Sequence, residues 1–463
     1  SQVGQDIVRL TERYSDDGYA FANIYPLTDT NEEKKTIAIV YSVQKGQKVY
    51  IERINVRGNS ITRDKVVRRE LLINEGDLFN GTRLKQSKEN LTRLGYFEDV
   101  TFSTPRGSKD DQMVLNIDVK EKPTGIFSVG AGFSSAENFV FTAQIQKNNF
   151  LGYGYSISAA ANVSSLQQRF DLQFLDPFFF DTDWTAGVDL YNRQLVYRSY
   201  TRVDRGGDLS FGHYLDPRRE AHVSATYRLA DTKVQDVATA LRPIFGRPGL
   251  TSSVVGTVSW DKRDNRLFPT KGFLASASAE YAGGPLAGDL DFVRFTYNAR
   301  GFYPVGIEAF QPVVRANATF GQIFTTNGTP IPIFEKFTAG GINSVRGYVL
   351  NSLGPSIRVM GTGDPQAPDQ KFVVGGNELA ILNLELEFPI IKPAQIRGVV
   401  FYDMGNALQA GQAVTFGDLR RSYGFGVRWF SPIGPLRFEW GFPIERHSDE
   451  APRQFEFTIG SFF

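Results

Sequence analysis

From residue 125 to its end, the chain alternates apolar and polar residues with a period of two. "GIFSVGAGF" (125–133) sets Phe127, Val129, Ala131 and Phe133 against Ser128, Gly130 and Gly132. "RFDLQFL" (169–175), "VRFTYNA" (293–299), "ILNLELEF" (381–388) and "PLRFEWGF" (435–442) repeat the pattern. Such alternation has two explanations: a dry core on one face and water on the other, or lipid on one face and a wet lumen on the other. Many of the segments reach about nine to eleven residues, the length a tilted membrane strand needs. Their apolar face is rich in Phe, Tyr and Trp, and their polar face carries both charge signs. These features favour lipid over a second sheet.

About sixteen strands are expected, starting near 125, 138, 154, 167, 184, 202, 219, 250, 272, 289, 309, 378, 396, 421, 435 and 454. An even number suits a closed antiparallel barrel with no unpaired edge in lipid. With the N-terminal part periplasmic, every connection after an even strand is a periplasmic turn. Those connections are fairly short, such as "YPVGIE", "PIIKPAQ" and "SPIGP". Connections after odd strands include 231–250, 322–377, 405–420 and 443–453, which are longer. The barrel is thus expected over 123–463, with 322–377 as extracellular loop six. Short inner turns and long outer loops are the pattern of bacterial outer-membrane barrels.

Residues 47–122 read as a β-α-α-β-β unit. Strand "VYIERINVRG" (49–58) is followed by helical stretches at 62–71 and 80–95. The second of these has Asn80 as N-cap, a Leu84/Leu91/Leu94 stripe and Gly95 as stop. Strands at 98–103 and 113–121 close the unit. Residues 1–46 give a helix around 3–14 and strands at 19–26 and 36–44, the back part of a similar unit, which is expected to be truncated with further units upstream.

Composition removes several functions. The net charge of +1 gives no reason to expect nucleic acid. The absence of cysteine excludes disulfides, thiol catalysis and thiolate metal sites. His213, His222 and His447 lack ligand-like spacing, so no metal site or cofactor is expected. There is no Gly-x-Ser-x-Gly, His-Glu-x-x-His or phosphate loop, and the Glu385/Glu387 pair reads as lumen lining. No catalytic residue is assigned, and an enzyme is not expected.

Loop six contains "GGINSVRGYVL" (340–350), with the lone Arg346. Its Val345-Arg346-Gly347-Tyr348 resembles the Val-Arg-Gly-Phe/Tyr signature of the BamA family of outer-membrane protein assembly factors. The β-α-α-β-β unit resembles a polypeptide-transport-associated (POTRA) domain. "WDKRDNRLFPTKG" (260–272), "YDMGNA" (402–407) and "SPIGPLRF" (431–438) are also similar to family segments. The resemblance implies a membrane β-barrel preceded by periplasmic POTRA domains. It also implies a role in folding and inserting barrel proteins into the bacterial outer membrane. The implied partners are unfolded outer-membrane clients, accessory lipoproteins at the POTRA domains, and outer-membrane lipid. A two-partner secretion exporter and a TamA-type translocation or assembly factor remain alternatives.

Glu385 is expected on the polar face of strand twelve and Asp403 at the end of strand thirteen. A loop folded back into the lumen would place Arg346 between these acids, where its planar fork grips carboxylates in a way lysine does not. Gly347 would let the loop backbone approach the wall. The resemblance implies the same contact. A second candidate site is the seam between first and last strands. The first strand is glycine-rich (Gly125, Gly130, Gly132), which weakens a strand interior. Ile126, Phe127, Ser128 and Val129 are expected to face Phe455, Phe457, Ile459, Gly460 and Phe463 of the last strand across a junction able to open.

Overall fold

The computed structural model describes residues 2–31, 35–216, 219–266, 268–306, 310–359, 370–412, 414–431 and 434–459. It divides into two compact units: residues 1–126 with 147–156, and residues 127–146 with 157–463.

In the first unit, α1 (Gln2–Asp16) precedes an antiparallel pair, β1 (Asn23–Asn31) and β2 (Thr36–Gln44). Then come β3 (Tyr50–Arg57), α2 (Asp64–Arg68), α3 (Gly81–Arg93), β4 (Phe97–Ser103) and β5 (Gln112–Glu121). The sheet order is β3-β5-β4, with β3 and β5 parallel. Asn80 caps α3 by accepting the Arg83 N–H at 2.8 Å, and Gly95 follows at φ +71°. Such a cap contributes about 1 kcal/mol. Ile51, Ile54, Val66, Val67, Leu91, Leu115 and Ile117 form one buried core beneath these elements. Helix α2 is shorter than its 62–71 pattern, and Arg63 at its N-cap provides no side-chain cap. Instead, the Glu121 carboxylate holds the preceding residues, accepting from Ser60 Oγ (2.7 Å), Ile61 N (2.9 Å) and Thr62 N (2.6 Å). Burial alone would raise the Glu121 pKa. Hydrogen bonds from Thr62, Ile61 and Ser60 outweigh it and bring the group down to about 2. Residues 147–156 pack with this same unit. Asn149 Nδ2 donates to Thr62 Oγ1 at 2.7 Å, and Arg63 N donates to the Gly152 carbonyl at 2.9 Å.

The second unit is a closed antiparallel barrel of sixteen strands. They are β6 (Gly125–Ser134), β7 (Asn138–Phe150), β8 (Tyr155–Val163), β9 (Gln167–Asp176), β10 (Trp184–Val196), β11 (Thr201–Tyr214), β12 (Ala221–Gln235) and β13 (Leu250–Asp261), followed by β14 (Gly272–Ala282), β15 (Phe292–Pro304), β16 (Val313–Thr325), β19 (Glu378–Ile391), β20 (Ile396–Leu408), β21 (Arg420–Ser431), β22 (Gly434–Pro443) and β23 (Gln454–Ile459). The sixteen strands and their starts follow the alternation closely. Outward side chains such as Phe127, Val129, Leu190, Phe211, Tyr297 and Phe425 are exposed, while their inward neighbours are polar. That is the inside-out partition a barrel in lipid requires. No helix among the described residues is long and apolar enough to cross a membrane. Loop six starts later than the 322 expected, because β16 continues to Thr325; its residues 356–359 and 370–373 form a small hairpin, β17 (Ser356–Val359) with β18 (Gln370–Val373).

Candidate functional site: loop six and the closing seam

Loop six turns back on itself before it meets the wall. Ala339 and Leu353 exchange backbone hydrogen bonds at 3.0 and 2.9 Å, and Gly340 N donates to Ser344 Oγ at 3.1 Å. Gly340 and Gly341 sit at φ +105° and +98°, a left-handed backbone that glycine adopts without strain. Val345, Tyr348, Ala339 and Leu353 are buried together against Ile381 of β19. This small apolar cluster fixes the loop tip and leaves Arg346 one direction to point.

Arg346 is 2% exposed. Its Nε and Nη2 donate to the two oxygens of Asp403, each at 2.6 Å, the bidentate geometry a guanidinium favours. Its Nη1 reaches Glu385 Oε1 at 2.5 Å and Glu439 Oε2 at 3.1 Å. The backbone N–H of Arg346 adds a bond to Asp403 Oδ2 at 3.1 Å. The guanidinium carbon lies 3.5 Å from the centre of the Phe401 ring. Gly347, at φ +89°, touches backbone: a Cβ there would sit 3.0 Å from the carbonyl carbon of Gly441. A Cβ on Gly441 would lie 2.4 Å from Gly347 N. The two glycines therefore let loop and β22 meet main chain to main chain. The Tyr348 hydroxyl lies 3.0 Å from the carbonyl oxygens of both Arg421 and Glu445.

Asp403 does not end its strand as expected. It lies inside β20, opposite Asn383 and Ser422, and is fully buried. Asn383 Nδ2 ties it to the loop, donating to Asp403 Oδ1 at 2.9 Å and to the Ser344 carbonyl at 2.7 Å. The acids around Arg346 are themselves shared. Arg428 bridges Glu385 (2.9 Å), Glu387 (3.0 Å) and Glu439 (2.8 Å). Arg437 binds Glu439 at 2.7 Å. Arg315 and Arg397 bind Glu387 at 3.0 and 2.6 Å. Sequence reasoning placed Glu387, Arg437, Glu439 and Gly441 on the polar face of their strands, but gave them no part in the site. Arg428 escaped it entirely, although the alternation of β21 puts it inward.

At the seam, the structure brings together other residues than those expected from β6. The described pairing consists of Ser134 with Thr458 and Phe133 with Ile459. Ser135 extends it: its N–H donates to the Phe457 carbonyl at 3.0 Å, and Phe457 N donates to Ser135 Oγ at 3.1 Å. Phe457 thus lies opposite Ser135, not Phe127, and Ile126, Phe127, Ser128 and Val129 have no described partner on β23. Gly460 and Phe463 lie outside the described residues. On the lipid side, Phe133 stacks on Phe457 (5.7 Å), and Phe455 on Trp440 (4.8 Å). On the lumen side, one strand away from the seam, Glu456 of β23 lies opposite Glu439 of β22.

The Omp85 superfamily domain model matches residues 149–463, more than half of the chain. The chain belongs to the Omp85 superfamily. A POTRA model, described as a surface antigen variable number repeat, matches 1–46 and 49–122. The Omp85 barrel lies in the bacterial outer membrane and the POTRA repeats on its periplasmic side. Among curated proteins, the outer membrane protein assembly factor BamA of Nitratidesulfovibrio vulgaris is 33% identical over 98% of this chain and 56% of its own length. BamA of Neisseria meningitidis serogroup B is 29% identical over 98% of this chain and 62% of its own. The chain thus spans little more than half the length of these relatives. The crystal structure of BamA from Haemophilus ducreyi lacking POTRA domains 1–3 superposes with a TM-score of 0.79, covering all of this chain and 93% of the other at 24% identity. CdiB from Acinetobacter baumannii shares the fold with a TM-score of 0.60, covering 98% of this chain and 79% of the other at 12% identity. Among the described residues, no group of three or more His, Asp or Glu side chains is placed to hold a metal ion.

Proposed function

We propose that this Omp85 protein folds and inserts β-barrel proteins into the outer membrane, and that it does so at the β23–β6 seam without a cofactor and without enzymatic turnover. The observation that carries the reading is the 33% identity to a BamA assembly factor over 98% of this chain. At the seam, the described pairing joins residues 133–135 of β6 and the turn after it to residues 457–459 of β23. In this reading the seam edge of β6 is the edge that opens. An exposed strand edge templates an incoming strand by β-augmentation. A client's terminal strand pairs with β6, and matching of its apolar face to lipid drives insertion.

Arg346 holds loop six in the lumen, so that Val345, Gly347 and Tyr348 brace β19–β22 while the seam opens. Unfolded clients and accessory lipoproteins bind in the periplasm at sheet edges of the POTRA repeats, where β3 and β4 are the outer strands of their sheet. The identity to BamA proteins supports assembly over the exporter reading, because the likeness to CdiB is one of fold alone.

The test is a disulfide across the seam. Ser134 and Thr458 are directly opposed and flank the hydrogen-bonded Ser135–Phe457 pair, the close pairing that suits a disulfide. In proteoliposomes, the oxidised Ser134→Cys/Thr458→Cys protein is expected to lose client insertion and to regain it on reduction. Undiminished insertion by the locked protein rejects the strand-pairing mechanism. Depletion in the native cell separates the functions: a broad loss of outer-membrane barrels supports assembly, and loss of one secreted product supports export.

A further inference from the structure

The outer face of the wall changes character along a line that crosses four strands. Leu172, Leu190, Gly207 and Leu229 form one lateral row through β9, β10, β11 and β12. All are apolar, and the three leucines are exposed on the lipid side. Two residues further toward the extracellular ends, the row reads Phe170, Asn192, Arg205 and Asp231. The row beyond it is Gln168, Gln194, Val203 and Lys233. Side chains two apart on a strand share a face, so all three rows point outward.

The outward polar side chains line a depression of about 370 Å³, bordered by Gln168, Asn192, Gln194, Arg205, Lys233 and Gln235. An apolar groove of about 500 Å³ adjoins it, shares Phe170 and Asn192, and is walled by small or apolar residues including Ala143, Ile145, Ala159 and Ala161. The Arg205 side chain has no hydrogen-bond or ion-pair partner among the described residues. Lys233 Nζ has only a loose, exposed contact with Asp231 at 3.8 Å. Cations with so little compensation are out of place on a lipid-facing wall unless they meet the charged layer of the membrane.

We infer that this depression binds the phosphate of a phosphorylated lipid headgroup in the outer leaflet, with an acyl chain lying in the adjoining groove. Arg205 supplies a planar two-pronged donor for phosphate oxygens, and Lys233 a second positive charge two residues across the sheet. The amides of Asn192, Gln168 and Gln194 supply further donors at the rim. The row of leucines below fixes the height at which hydrocarbon ends. The inference rests on the barrel being in a membrane and is independent of the seam mechanism.

The test uses the full chain in detergent, loaded with diphosphoryl lipid A or with phosphatidylcholine and analysed by native mass spectrometry. Arg205→Gln is expected to weaken retention of diphosphoryl lipid A roughly fivefold and Arg205→Gln/Lys233→Gln more than tenfold, the scale of one or two cations at an anionic surface. Retention of phosphatidylcholine, whose phosphodiester is neutralised by its own choline, should not change, and Arg205→Lys, which keeps the charge but not the fork, should fall between wild type and Arg205→Gln. Inorganic phosphate should not displace the lipid. Equal retention of diphosphoryl lipid A by wild type and the double variant, both folded by heat-modified gel mobility, overturns the inference. So does displacement by inorganic phosphate alone, which would make the site one for free anions.

Discussion

The wall β19–β22 and the junction of β23 with β6 are made of the same kind of strand, yet they are held in opposite ways. The wall pairs along its whole length and is bound from within by Arg346, whose charge is met by Asp403, Glu385 and Glu439. Arg428 ties Glu385 to Glu439, and Arg437 binds Glu439 as well. The junction is described over residues 133–135 and 457–459, where it carries a lipid-side Phe133–Phe457 stack. The contrast shows how one closed sheet can brace one sector from within and leave another without that brace. Interior ion pairs and a docked loop reinforce the β19–β22 pairs, whereas among the described residues no ion pair joins β23 to β6.

The comparison breaks most severely at Arg346. Arg346→Ala leaves the fully buried Asp403 without its ion-pair partner, which costs about 3–5 kcal/mol. The heat-modifiable gel transition should fall sharply, and Arg346→Lys, lacking the fork, should lie between it and wild type. An unchanged transition in Arg346→Ala would show that the loop is not held by this side chain.

Gly441→Val addresses the same contact from the wall side. Its side chain would collide with the Gly347 backbone, an overpacking cost of about 1–3 kcal/mol. Loop six should become accessible to protease while the barrel remains folded. Protection equal to wild type would refute the main-chain contact.

The smallest effect concerns the first unit. The Glu121 pKa is lowered from 4.5 to about 2, so its clamp on residues 60–62 stabilises fully above pH 4.5 and is lost as pH falls toward 2. Unfolding of the first unit between pH 5 and 2.5 should show that acid dependence in wild type and less of it in Glu121→Gln. Identical pH profiles would remove the clamp from the account.

The barrel was legible because its two solvents impose a strict period of two. Start positions as irregular as 221, 250 and 292 lie within a few residues of where alternation puts them. Asp403 was misplaced for an instructive reason. "YDMGNA" reads as a turn because of Gly405 and Asn406, but β20 runs on to Leu408. Gly405 is small there because Val345 Cγ2 of loop six lies 2.9 Å from where its Cβ would be. Arg428 and Glu439 face inward by alternation, but which inward groups meet across the lumen depends on barrel shear and on where the loop lands. The seam register has the same origin. Nothing local to Phe127 or Phe457 tells that Phe457 faces Ser135.

Hydrogen exchange in nanodiscs, read amide by amide, compares the two sectors directly. Amides of Phe133, Ser135, Phe457 and Ile459 should exchange at least about a hundredfold faster than those of Val399–Asp403, a gap of about 2.7 kcal/mol in local opening. Equal protection of the two sets would contradict the claim that this barrel is strong where loop six is anchored and weak where its ends meet.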